Sequence, residues 1–247
     1  MMQRIRWLLV LLCLGATSIQ AADTPFPQDP HIQQITYINA GNYKAWVSYP
    51  EGIPVRGVII YNYDEYWDWA QNDRAMARGY DLKAFMHTFN KWGYICMIPI
   101  ERYRKINALK GAVEWAKTQS DGGIHLVGLS EGAFLSLLIP DPKLQVASIT
   151  LLSPSQVHTP FALTRLRVPQ QLRELHIPVL YIATTCDPMW KMNTTYELLD
   201  LLKKANVTVK YSEYAKTHIW FWNPENDFMQ EIYEFITGER MPIKTLL

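Results

Sequence analysis

Ser130 stands at the centre of Gly128-Leu129-Ser130-Glu131-Gly132, a G-x-S-x-G pattern. A serine hydroxyl is a weak nucleophile. It attacks a carbonyl when a sharp turn lifts it clear of the backbone and a base takes its proton. Small residues on both sides of such a turn let a strand and a helix close in. Three fixed residues also arise by chance, so the flanks matter. Before the pattern runs Gly123-Ile124-His125-Leu126-Val127, a short apolar run suited to a buried strand. After it runs Ala133-Phe134-Leu135-Ser136-Leu137-Leu138-Ile139, a helical stretch ended by Pro140. Strand, tight turn and helix form the setting in which the pentapeptide acts as a nucleophile elbow. The first helical amides then point toward any developing oxyanion.

A nucleophilic serine needs a base and an acid, and sheets of alternating strands and helices collect function at the carboxyl ends of strands. Two residues there fit. Asp187 closes the strand 179–183 within Thr184-Thr185-Cys186-Asp187-Pro188, where a carboxylate could orient a histidine. Asp-Pro is equally a common turn dipeptide. His218, in Lys216-Thr217-His218, follows the last strand and precedes the last helix, where it could swing over the sheet edge or simply lie in a surface loop. The other histidines fit worse. His125 lies inside a strand, His87 on a helix, His31 and His176 ahead of strands, and His158 a loop too early. Aromatic residues crowd the same rim. Tyr63, Tyr66, Trp67 and Trp69 follow one strand, Trp190 lies near the acid, and Trp220-Phe221-Trp222 lie near the histidine. Together with Asn62 they suggest an apolar or ring-binding pocket, although any one of them is also an ordinary packing residue.

The elements that must position these groups can be read along the chain. Residues 35–38 and 45–49 read as a hairpin turning at Gly41-Asn42. Residues 58–61 read as a central strand, followed by a long aromatic loop from Asn62 to about Tyr80. Phe85, Phe89 and Trp92 mark a helix from Leu82 to Trp92, and residues 94–98 form the next strand. A helix spans about 106–117. After the elbow come a strand at 146–152, a poorly patterned stretch at 164–175, a strand at 179–183 and a helix at 193–204. The last two elements are a strand at 207–211 and a helix at 225–236. The alternation predicts an α/β fold, with a mostly parallel sheet of about eight strands, helices on both faces and an antiparallel amino-terminal edge.

With Ser130, Asp187 and His218 in that order, the chain resembles the α/β-hydrolases, and within them the small dienelactone-hydrolase-like serine hydrolases, over about residues 34–240. The elbow carries the specific part of the likeness. The resemblance implies that His218 takes the proton of Ser130 and that Asp187 holds the imidazole. It also implies an oxyanion hole made from the backbone amides of Glu131 and Tyr63, and cleavage of a carboxylic ester, thioester or amide. Two departures stand out. Dienelactone hydrolase itself uses cysteine where this chain has Ser130. The His-Gly pair common after the third strand is replaced by Asn62-Tyr63. A non-catalytic binding protein on the same fold is therefore the alternative expectation.

Composition sets the remaining bounds. The chain has 247 residues, 49% of them hydrophobic, and a net charge of +1. That supports one sizeable core and gives no electrostatic footprint for nucleic acid. Arg4, Arg6 and the apolar run 7–14 resemble a secretory signal ending near Ala21 or Ala22, with a single domain at 23–247. The run is too short to span a bilayer, so the expectation is a secreted or periplasmic protein without stable membrane insertion once the signal is removed. The expected partner is a small-molecule ester, with no cofactor and no metal, since no Cys/His spacing resembles a metal site. Cys96 and Cys186 are expected on separate strands, unbridged, with Cys186 a small buried residue. The sequence leaves the oligomeric state open.

Overall fold

A computed structural model describes residues 29–39, 41–100, 105–139, 143–154, 173–174, 176–186 and 192–241. The strands are β1 (Ile32–Ile38), β2 (Asn42–Ser48), β3 (Gly57–Asn62), β4 (Tyr94–Ile100), β5 (Gly123–Leu129), β6 (Val146–Leu152), β7 (Val179–Thr184) and β8 (Val209–Tyr214). The helices are α1 (Glu65–Ala77), α2 (Leu82–Lys91), α3 (Lys105–Ala116), α4 (Glu131–Leu137), α5 (Met192–Lys204) and α6 (Phe228–Thr237), with a 3₁₀ turn at His218–Trp222. One eight-stranded sheet runs in the order β1-β2-β4-β3-β5-β6-β7-β8. Its β1–β2 and β2–β4 pairs are antiparallel and the rest are parallel. The α/β class, the eight strands and the antiparallel amino-terminal edge agree with the sequence reading.

Side chains alternate along each strand, so each strand feeds two cores. Val58 and Ile60 of β3, with Leu126 of β5 and Tyr181 of β7, meet α3, α4 and α5 on one face. Ile59 and Tyr61 of β3, with Leu129 and Ile182, meet α1, α2 and α6 on the other. In α2 the buried residues Leu82, Phe85, Met86 and Phe89 follow helical spacing, and Asp81 caps the helix by accepting from the Lys83 amide at 2.9 Å. The Phe85 ring stacks on Tyr61 at 4.7 Å. At the start of β1, His31 Nδ1 meets Glu51 Oε1 at 2.5 Å and His87 Nε2 meets Asp29 Oδ2 at 2.8 Å, which ties the strand's entry to the body.

Several expectations need correction. The stretch expected as a loop from Asn62 to about Tyr80 contains α1. Asp64 caps it, with Oδ1 accepting from the Tyr66 amide at 3.0 Å, and Glu65 and Asp68 lie in its first turn. Its large apolar residues cluster at its start and mostly small or polar ones fill the rest, so it carries little apolar periodicity, and its aromatic residues disguise the cap. The last strand is displaced to Val209–Tyr214 and the last helix starts at Phe228. Cys186 is exposed, just past β7, whereas Cys96 is buried in β4; both are free thiols. Burial pushes the Cys96 thiol up, which keeps it protonated. The leader at 1–22 and nearly all of 164–175 lie outside the described residues. Among the described residues, no helix is long and apolar enough to cross a membrane.

Candidate functional site

The elbow forms where β5 meets α4. Ser130 adopts φ 56° and ψ −120°, a conformation that L-residues rarely take and that costs roughly 1–3 kcal/mol. Contacts on both sides hold it. The Ser130 amide donates to Leu152 O at 2.9 Å on β6, and the Phe134 amide donates to Ser130 O at 3.2 Å. The two glycines of the pattern are sterically required. A Cβ on Gly128 would lie 2.4 Å from the Ala133 Cα, and one on Gly132 would lie 2.1 Å from the Asn62 carbonyl oxygen. Ser130 itself is 7% exposed and its side chain makes no capping bond to α4.

Asn62, at the end of β3, locks the neighbouring strand end to this turn. Its side-chain amide donates to Gly132 O at 2.9 Å, and Ser136 Oγ donates to the same oxygen at 2.8 Å. Asn62 was expected to line a pocket; its amide is spent as a strut between β3 and α4. Tyr63 follows, with its ring buried and its hydroxyl donating to Asp68 Oδ1 at 2.7 Å. Trp67 is 2% exposed and packs edge-on against Trp46 at 5.1 Å, so it is a core side chain. Tyr66 stacks on Trp222 at 4.7 Å, and Trp220 lies between Tyr214 and Phe228. Glu131 opens α4 directly after the serine.

His218 opens the 3₁₀ turn after β8. The exits of β7 and β8 are zipped together below it. The Thr185 amide donates to Tyr214 O at 2.9 Å, and the Cys186 amide donates to Lys216 O at 3.0 Å. Asp187 and Trp190, the next candidates along that chain, lie outside the described residues. The carboxylate that the described structure brings to the histidine is a different one. Asp64 Oδ2 lies 3.2 Å from His218 Nε2, with side-chain exposures of 6% and 17%. The Trp222 indole N–H makes a longer contact, 3.5 Å, to the same oxygen. The Asp64 amide donates to the Tyr80 hydroxyl at 2.9 Å, and that hydroxyl meets Tyr61 Oη at 3.1 Å. Burial pushes both phenols up, so they stay neutral. Among the described residues, no hydrogen bond joins Ser130 Oγ to His218.

Asp64 was missed by the sequence reading, although a signal was available. It stands two positions past the β3 end, at a carboxyl edge, and it is an aspartate in N-cap position ahead of Glu65. Among the described residues, no group of three or more His, Cys, Asp or Glu side chains could hold a metal ion.

No family model matches the chain, and no curated protein matches it. Solved structures do. An esterase of Pyrococcus furiosus superimposes with a TM-score of 0.64 at 15% identity, covering 85% of this chain and 92% of its own. A Klebsiella pneumoniae protein described as a dienelactone hydrolase gives 0.58 at 14%, covering 77% and 88%. Esterase 2 of Thermogutta terrifontis, phosphonylated by sarin, gives 0.57 at 17%, covering 85% and 94%. With the strand order described above, these likenesses establish the α/β-hydrolase fold, close in plan to that of the dienelactone-hydrolase-like proteins.

Proposed function

We propose that the chain is an exported serine hydrolase that cleaves a small carboxylic ester, or the related thioester or amide. One observation carries the reading: Ser130 sits on a strained turn whose two flanking glycines admit no side chain. Such strain persists where the surrounding structure over-determines it, and it lifts a hydroxyl toward substrate. In this mechanism Ser130 Oγ attacks the acyl carbon as His218 accepts its proton. The carbonyl electrons move to an oxyanion met by the amides of Glu131 and Tyr63. His218 then gives the proton to the leaving group, and water repeats the cycle on the acyl-enzyme. Asp187 is the acid that orients His218. In support, Cys186, its chain neighbour, is bonded to Lys216, two residues before the histidine. Esterases among the structural neighbours, one of them phosphonylated by sarin, also favour acyl transfer.

A fluorophosphonate probe should label the protein at Ser130. Ser130→Ala should abolish the label and cut ester turnover by several orders of magnitude, with folding intact. Turnover retained in the variant would remove the serine mechanism. The engagement of His218 Nε2 by Asp64 favours a second reading, a hydrolase-fold binding protein; the absence of labelling in the wild type would select it. Export rests on the basic and apolar leader. The mature protein recovered from the medium or periplasm should start near Ala22 or Asp23 by mass spectrometry, and an intact Met1 would count against cleavage.

A further inference from the structure

A helix cap needs one acceptor oxygen, and serine or asparagine supplies it as well as aspartate does. At Asp64 that duty falls on Oδ1, which takes the Tyr66 amide. The second oxygen, on a side chain that is 6% exposed, faces His218 Nε2 at 3.2 Å. A buried carboxylate is costly unless it is paired, so this second oxygen calls for an explanation that capping does not give.

We infer that Asp64 is a positioning residue for the serine chemistry proposed above: it engages His218 through Nε2, the ring nitrogen that accepts the Ser130 proton in that mechanism, and sets the proton affinity of the base. The inference rests on that functional reading, but its structural half stands apart from it. A carboxylate beside an imidazole favours the imidazolium over the neutral ring. Nε2 can accept from Ser130 only when the ring is neutral with its proton on Nδ1, and the Nε2–H···Oδ2 contact of the protonated ring competes with that state. During attack the proton leaves Ser130 Oγ for Nε2 as the bond from oxygen to the acyl carbon forms, and Asp64 then stabilises the cation produced. As the acyl–oxygen bond to the leaving group breaks, that proton passes to the departing oxygen. The gain in stabilising the cation is therefore set against a base that stays protonated to higher pH.

The groups around the histidine are mixed. Phe221, from its own turn, meets the ring edge-on at 6.4 Å. Lys216 precedes it on the β8 exit. Glu65 and Asp68 lie in the first turn of α1 beyond Asp64. Glu131 lies beside Ser130 on the elbow, and Asp187 follows β7 in the chain. Asp64 is the described carboxylate in direct contact.

The test is an imidazole NMR titration of His218 in the wild type, Asp64→Asn and Asp64→Ser, alongside ester turnover against pH. Both substitutions keep a helix cap and remove the charge. The His218 midpoint should fall by about one pH unit or more in both, and the acid limb of kcat/KM should move with it. One unit below the wild-type limb, the variants should then regain several-fold of their plateau activity. A midpoint that moves by less than about 0.3 unit in the folded variants would reduce Asp64 to a cap and overturn the inference. Turnover lost at every pH to the level of Ser130→Ala would also overturn it, by making Asp64 indispensable. The titration does not depend on catalysis. A shifted midpoint without ester turnover upholds the Asp64 pairing and removes the esterase reading; turnover with an unshifted midpoint does the reverse.

Discussion

Two residues show how far a side chain's chemistry can be judged from its place in the sequence. His125 lies inside β5, a poor place for a catalytic base, and the structure gives that reason physical form. It is 8% exposed, its Nδ1 lies 2.8 Å from Ser148 Oγ, and the Tyr94 ring meets it edge-on at 5.5 Å. Burial pushes its pKa down to about 4 from 6.5. Between those values the unfolded chain binds a proton that the folded chain refuses, so stability rises with pH across that window and is lost as pH falls through it. The contribution is of order 3 kcal/mol at most. Urea midpoints measured from pH 7 to pH 4.5 should fall less steeply in His125→Gln than in the wild type; equal slopes would mean that His125 does not titrate with folding. Asp64 is the opposite case. Its contact with His218 spans most of the chain, and no local pattern carries a pairing of that range. Only its place at a strand end was legible.

At the scale of elements, the central strands could be read as short continuous apolar runs, because both of their faces are buried, and α2 from its helical spacing. Helix α1 could not. Its stability comes from a cap and from Trp67 wedged against Trp46, and neither leaves a stripe in the sequence. The elbow was legible as a pattern, but not the reason for its second glycine. Gly132 lies where α4 presses on the end of β3, and Asn62 closes the gap from the other side. Gly132→Ala should force these two elements apart. We expect a destabilisation of about 1–3 kcal/mol by chemical denaturation, as overpacking does. We also expect a drop in ester turnover of about a hundredfold, because the strand end that carries Tyr63 moves relative to Ser130. A variant with unchanged stability and turnover would mean that the β3–α4 contact gives way without consequence.

Across the whole molecule, the alternation of strands and helices was enough to anticipate a single mixed sheet, while the strand order became visible only from the pairing. That order has a directional result. Strand β1 runs antiparallel to β2, β2 runs antiparallel to β4, and β4 runs parallel to β3. The chain therefore enters β1 at the amino end of the parallel strands, and Ser130, His218 and Asp64 lie beyond their carboxyl ends. The His31–Glu51 and His87–Asp29 pairs pin that entrance. Residue 29 sits at one pole and the elbow at the other. A linker to a bead attached at residue 29 would therefore hold the protein by its base, with the elbow and the loops around it on the side turned away from the bead.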